Sequence, residues 1–181
     1  TVIDSTISSN GAQNGGGINN NGLVTVLGST ISGNTAGTGG ALTNFGGNVT
    51  VRNSTLSGNT GLGGGLAIGL SSPDGASVVR LESTTITKNL GNPYGGGLYI
   101  VGTQPVTVRN TIIADNSITS FYGPDCGGRI VSEGYNLIQS TAFCQIVGDT
   151  TGNVTGVPAR LGVLADNGGL TRTHAPLPAD Q

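Results

Sequence analysis

The sequence predicts an all-β fold: a right-handed, single-stranded parallel β-helix (a solenoid) of about five to six coils, with an irregular C-terminal tail. Two observations carry the prediction. The first is a phrase, Ser-Thr-Ile/Leu-x-x-Asn, that stands at 5–10, 29–34 and 54–59 and returns with drift at 84–89 and 111–116. Its Asn residues lie 24, 25, 30 and 27 positions apart. A repeat of that length makes each unit one turn of a stacked coil. The second is composition. The 181 residues include 34 Gly, no Met and no Trp, and only 9% are charged. Ser, Thr, Asn and Gly crowd around short Val/Ile/Leu runs, the profile of many short strands joined by tight turns. Gly enrichment without Pro and without a three-residue period excludes a collagen-like chain.

Within one repeat the elements follow in a fixed order. An alternating apolar strand leads into the phrase, as in Val24-Thr25-Val26, Val49-Thr50-Val51, Val79-Arg80-Leu81 and Val106-Thr107-Val108. A bend, a short strand and an Asn turn come next. A Gly-rich turn with an aliphatic residue opens a third strand at 15–18, 39–42, 63–66, 95–98 and 127–130. Stacking equivalent strands about 4.7–4.9 Å apart gives a rod on the order of 25–30 Å long. Two apolar columns fill it: Ile7, Ile31, Leu56, Ile86, Ile113 and Ile18, Leu42, Leu66, Leu98, Ile130.

The third column is Asn10, Asn34, Asn59, Asn89 and Asn116. Asn tolerates a left-handed backbone, bonds nearby backbone groups and stacks its amides into ladders. These five are expected to point inward as a structural ladder. On the surface, Arg52, Glu82 and Arg109 fall in one column and predict an exposed Arg-Glu-Arg ladder worth about 0–1 kcal/mol per pair. Insertions at 69–76 and 117–124 lengthen the period and emerge on one flank. The repeat holds over 1–134. Residues 135–181 are read as the last coil and an irregular capping tail of the same domain, since terminal units of solenoids are atypical.

Cys126 and Cys144, the only cysteines, allow one intramolecular pairing. They flank the passage from coils to tail, so a disulfide there pins the last coil and implies an oxidising, extracellular setting. The formal net charge of -2 with dispersed Arg residues gives no electrostatic case for nucleic acid. No apolar run reaches the roughly 20 residues of a membrane helix. The chain opens at Thr1 in mid-strand with no visible signal peptide, and reads as a processed product or fragment.

Chemistry is sparse. No two acids are adjacent, and aligning the coils builds no acidic column. Lys88 and Asp115 fall side by side, the pattern of a surface ion pair. His174 is the only histidine, so no metal set is apparent. The Gly triplets lack the helix and Lys-Ser/Thr of a phosphate loop. No catalytic, cofactor or metal residue is assigned. Tyr94, Phe121 and Tyr122 lie in loops of successive coils and form a candidate glycan contact, or a small core anchoring those loops.

Gly39-Gly40-Ala41-Leu42 alternating with Ile-x-x-Asn partly resembles the repeats of polymorphic outer-membrane proteins, bacterial adhesins that carry Phe where this chain has Ile or Leu. A fuller likeness runs through the repeats, Asn110–Ala114, Pro124-Asp125-Cys126, Gly134–Ile138, and Leu164–Gly169 with Thr173-His174. This pattern resembles the choice-of-anchor Q proteins. That resemblance implies a bacterial surface or secreted protein with right-handed β-helix regions and no established catalytic residues.

The expected function is a non-enzymatic extracellular structural or adhesive scaffold that stacks end to end into a fibre. The alternative is a carbohydrate-active β-helix, a polysaccharide lyase or glycan-binding module, using the inserted loops on one flank. The corresponding partners are other copies of the chain, or host or cell-surface glycans. No cofactor is expected.

Overall fold

The computed structural model describes residues 1–69, 77–120 and 122–178, and among these there are strands and turns but no helix. The chain is a parallel β-helix. In the second coil it passes through Leu23–Leu27, Thr30–Ser32, Thr35–Thr38 and Leu42–Asn44 before rising to the next level. Each segment pairs in parallel with its equivalents above and below. Val26 lies between Val2 and Val51, Ile31 between Ile7 and Leu56, and Leu42 between Ile18 and Leu66.

The coil has one strand more than the sequence pattern suggests. Gly11–Asn14, Thr35–Thr38, Thr60–Leu62, Leu90–Gly91 and Ser117–Ile118 form a separate five-stranded sheet between the Asn turn and the Gly turn. Gly, Ala and Thr dominate it, so it lacks the Val/Ile alternation that marks its neighbours.

The predicted core columns are buried except in the first coil, where Ile7 and Ile18 are half-buried. Ile31, Leu56, Ile86, Ile113 and Ile138 have no exposed surface, nor do Leu42, Leu66 and Leu98. Fully burying such a side chain contributes about 1.5–3 kcal/mol. The second column ends differently from the sequence expectation. Leu98 pairs with Cys126, not Ile130. Gly97 N–H donates to the carbonyl of Pro124 and Leu98 N–H to that of Asp125. Asp125 therefore takes the level of Gly97, and the Gly127-Gly128 pair falls beyond the turn it resembles. Ile130 is buried one step later, beside Ile146.

The repeated phrase has a physical reading at each position. Its first Ser or Thr is a rung: Ser5 N–H donates to Ser29 Oγ and Ser29 N–H to Ser54 Oγ, each at 3.1 Å. Thr84 N–H donates to Thr111 Oγ1, and Thr111 N–H to Asn136 Oδ1. The hydroxyls of Ser29, Ser54 and Thr111 donate back to the carbonyl two residues earlier. Ile or Leu faces the core. The residue before Asn turns the corner with a left-handed backbone: Ser9, Gly33, Gly58, Lys88 and Asp115 have φ between 56° and 67°. The left-handed backbone expected of the Asn residues belongs to this preceding position. Lys88 and Asp115 share it, and among the described residues no ion pair joins them.

The last coil expected past residue 134 is present, and only the tail beyond it is more regular than predicted. Cys144–Asp149 and Val154–Thr155 continue the parallel stacking past residue 134. Leu161–Ala165 and Thr173–Pro176 then form an antiparallel hairpin. The hairpin runs back over the outside of the second and third coils: Thr30 Oγ1 donates to Arg172 O at 2.6 Å, and Thr171 Oγ1 to Gly28 O at 3.0 Å.

Candidate functional site

The Asn column forms a continuous chain of bonds, buried as expected from Asn34 to Asn116 but exposed at Asn10, where no earlier coil covers it among the described residues. Each Asn Oδ1 accepts both the backbone N–H and the side-chain Nδ2–H of the Asn one coil earlier, from Asn10 through Asn34, Asn59 and Asn89 to Asn116, at 2.9–3.0 Å. The Nδ2 groups of Asn34, Asn59, Asn89 and Asn116 also donate to the carbonyls of Ile7, Ile31, Leu56 and Ile86, each at 3.0 Å. A buried amide with every partner filled fixes register as well as contributing stability.

The chain of bonds ends on Asp125, a residue the repeat does not reveal. Its Oδ1 accepts Asn116 N–H and Nδ2–H, and its Oδ2 accepts Ser140 N–H at 2.8 Å. A carboxylate fits here because both oxygens must accept, where an amide offers one acceptor. Burial pushes the Asp125 carboxyl above its ordinary range, while the bonds from Asn116 and Ser140 oppose that shift. The signal missed in the sequence is that Pro124-Asp125-Cys126 occupies the Gly-Gly-Leu slot.

Cys126 and Cys144 are disulfide-bonded, with Cα atoms 5.1 Å apart across 18 residues. The bridge joins the fifth coil to the strand stacked on it. Beside it lies a cluster of aromatic rings. Of the three predicted contact residues, Tyr94 and Tyr122 come together with centroids 5.5 Å apart, and Phe121 lies outside the described residues. Two rings complete the cluster that sequence reasoning had not grouped with them. Tyr99 stacks on Tyr94 at 5.7 Å, and Phe143 on Tyr122 at 4.7 Å. Tyr99 follows core residue Leu98, so strand alternation puts it outside, next to the Tyr94 turn. Phe143 is carried in by its neighbour Cys144. Burial, then the adjacent phenols of Tyr122 and Tyr94, raise the Tyr99 pKa.

The hairpin makes the other notable surface. With Thr6, Ser8, Thr30, Ser32 and Ser57 it encloses a groove of about 820 Å³. His174 anchors it: Nε2 is 2.8 Å from Ser57 Oγ, and Nδ1 is 2.7 Å from Gly162 O. The carbonyl requires Nδ1–H, which leaves Nε2 to accept the Ser57 hydroxyl. Burial is the main cause holding His174 below the ordinary histidine range; the bond to Gly162 O opposes it, Lys88 adds to it and Asp115 opposes it. The nearby amides are committed to stacking: Gly33 N–H donates to Ser57 O and Gly58 N–H to Thr87 O. Ser57 and His174 therefore sit together as an anchor of the hairpin on the coils.

The exposed charge column is half formed. Glu82 is in register with both Arg52 and Arg109. Among the described residues it makes an ion pair with Arg52, at 3.6 Å. Also among these residues, no group of three or more His, Cys, Asp or Glu side chains is placed to hold a metal ion, and no helix is long and apolar enough to cross a membrane. Comparison with known proteins finds no matching family model, no matching curated protein and no matching solved structure.

Proposed function

We propose that this protein is a non-enzymatic extracellular scaffold, a rigid β-helix of the structural or adhesive kind. The observation that supports the reading most directly is how its buried polar groups are used. Asn34, Asn59, Asn89, Asn116, Asp125 and His174 all spend their hydrogen-bonding capacity on holding coils or the hairpin in place. The pKa values of Asp125 and His174 are shifted, but both groups are buried and bonded, without the open geometry of a general acid or base. The disulfide suits an oxidising compartment. The resemblance to choice-of-anchor Q surface proteins points the same way.

The rival reading is a polysaccharide lyase or hydrolase. Incubating the purified protein with polygalacturonate, alginate and neutral plant polysaccharides, with and without calcium, separates the two. The scaffold reading expects no new reducing ends and no unsaturated uronate. Either product, lost on substitution of a residue in this chain, rejects it. End-to-end assembly into fibres belongs to the same reading. It expects concentration-dependent light scattering and filaments in electron micrographs.

A further inference from the structure

The four-ring cluster has features that a loop anchor does not need. Tyr94, Tyr122 and Phe143 remain 40%, 38% and 57% exposed. Rings that served only to pin loops would be covered. Phe143 is also held at a left-handed backbone, φ 61°. That conformation is uncommon for a bulky side chain. Here it sets the Phe143 ring against Tyr122, nearly parallel at 29°. Tyr94 and Tyr99 form a second near-parallel pair, and Tyr122 stands at 67° and 74° to them. The rings come from three separate stretches of chain, positioned by the turn at 92–94, the strand Leu98–Ile100 and the disulfide.

We propose that Tyr94, Tyr99, Tyr122 and Phe143 form a binding platform for a neutral, pyranose-containing glycan. This deepens the scaffold reading and rests on it. A shallow hollow of about 290 Å³ lies over Tyr94, Tyr99 and Tyr122, which line it among the described residues. Aromatic faces offer an apolar bed for the C–H face of a sugar ring, and the phenol hydroxyls offer hydrogen bonds at its rim. The charge environment selects among saccharides. Among the described residues no cation lines the hollow to pair with a uronate. The neighbouring carboxylate, Asp125, is buried with both oxygens occupied. A quaternary ammonium group is also disfavoured, because the rings pack on one another at 4.7–6.4 Å and do not stand apart as a cage.

The chain supplies its own probe. It has no Trp and four Tyr, three of them in the platform. Tyrosine fluorescence of the disulfide-intact protein is titrated with cellohexaose, xylohexaose and mannohexaose, and with hexagalacturonate and tetramethylammonium for comparison. The proposal expects a saturable change with at least one neutral hexaose. It expects affinity to fall about tenfold in Tyr94→Ala and in Phe143→Ala, with far-ultraviolet circular dichroism unchanged. Tyr135→Ala, at the remaining tyrosine, should bind as the parent does. The proposal is overturned if no neutral hexaose binds, if hexagalacturonate or tetramethylammonium binds more tightly, or if both substitutions leave neutral binding intact. These failures are distinct from failure of the scaffold reading, which requires bond cleavage in a polymer.

Discussion

The coils and the C-terminal hairpin hold themselves in place by opposite means. In a coil, each group meets its own equivalent one level away: Asn34 meets Asn59, Ser29 meets Ser54, Ile31 meets Leu56. In the hairpin, each contact is unique. His174 meets Ser57 and Arg172 meets Thr30, across 117 and 142 residues. A periodic contact shares its partners with the coils on both sides, so its loss strands groups at two levels. A unique contact, when lost, releases only itself.

The sharpest way to break this contrast is at a central rung. Asn89→Ala removes the acceptor of Asn59 N–H and Nδ2–H and the donor to Leu56 O and Asn116 Oδ1. Leaving a buried polar group unsatisfied costs about 1–3 kcal/mol, and here several are left. The expected loss in urea denaturation is about 3 kcal/mol or more. Asn10→Ala, at the exposed end of the same ladder, should cost about 1 kcal/mol or less. Equal losses at the two positions would mean that the ladder does not act as a chain.

The disulfide comes next. It marks where the periodic part passes into the unique part, since Cys126 sits in a repeat column and Cys144 in the strand stacked on it. Closing a loop of that size contributes about 3 kcal/mol in the chain-entropy account. Cys126→Ser with Cys144→Ser, or reduction of the parent, should lower stability by about that amount while the circular dichroism of the coils persists below the transition. Loss of all β signal at low temperature would show that the bridge organises the coils themselves.

These two regions also differ in how far the sequence discloses them. The Asn rungs and the Ile7 column are legible because a stacked coil repeats its neighbours, so alignment alone finds their partners. The misplacement of Ile130 shows the limit. Gly127-Gly128 imitates the Gly turn, but the level is set by Asp125, whose two carboxylate oxygens take over from Asn116 and reach Ser140. The hairpin partners are invisible for a different reason. Nothing in Thr171–His174 encodes Gly28, Thr30 or Ser57 beyond hydrogen-bonding capacity. The aromatic cluster is intermediate: Tyr94 and Tyr122 follow from loop position, whereas Phe143 depends on the cysteine pairing.

A smaller effect tests the hairpin. His174 is the chain's only histidine, so its titration is separable from all others. Its folded pKa lies below the ordinary value of 6.5, chiefly through burial. The folded state therefore binds fewer protons than the unfolded state in that range, and stability falls as pH drops below about 6.5. Above that pH the anchor's contribution is fully present. His174→Ala should cost about 1 kcal/mol at pH 7.5, from the lost Ser57 bond, and should flatten the decline between pH 6.5 and the acid limb. An unchanged slope would place the titration elsewhere. Protease mapping should show cleavage in 156–178 before any cleavage in the coils.

The smallest effect concerns a periodic contact on the surface. Glu82 pairs with Arg52, though it lies in register with Arg109 as well. At 3.6 Å, with the Arg52 side chain 55% exposed, the pair contributes about 0–1 kcal/mol and is screened by salt. A double-mutant cycle of Arg52→Ala and Glu82→Ala should return a coupling below about 1 kcal/mol that vanishes at molar salt. A larger, salt-resistant coupling would mean that this column shares the cooperative character of the Asn ladder. The expected weakness has a structural cause. An Asn amide donates and accepts in line with the coil axis, so one rung satisfies both neighbours at once. A charged side chain reaches from the surface to one neighbour and leaves the other to water. Repetition in sequence therefore strengthens a polar contact only where the group is buried and has both a donor and an acceptor along the stack.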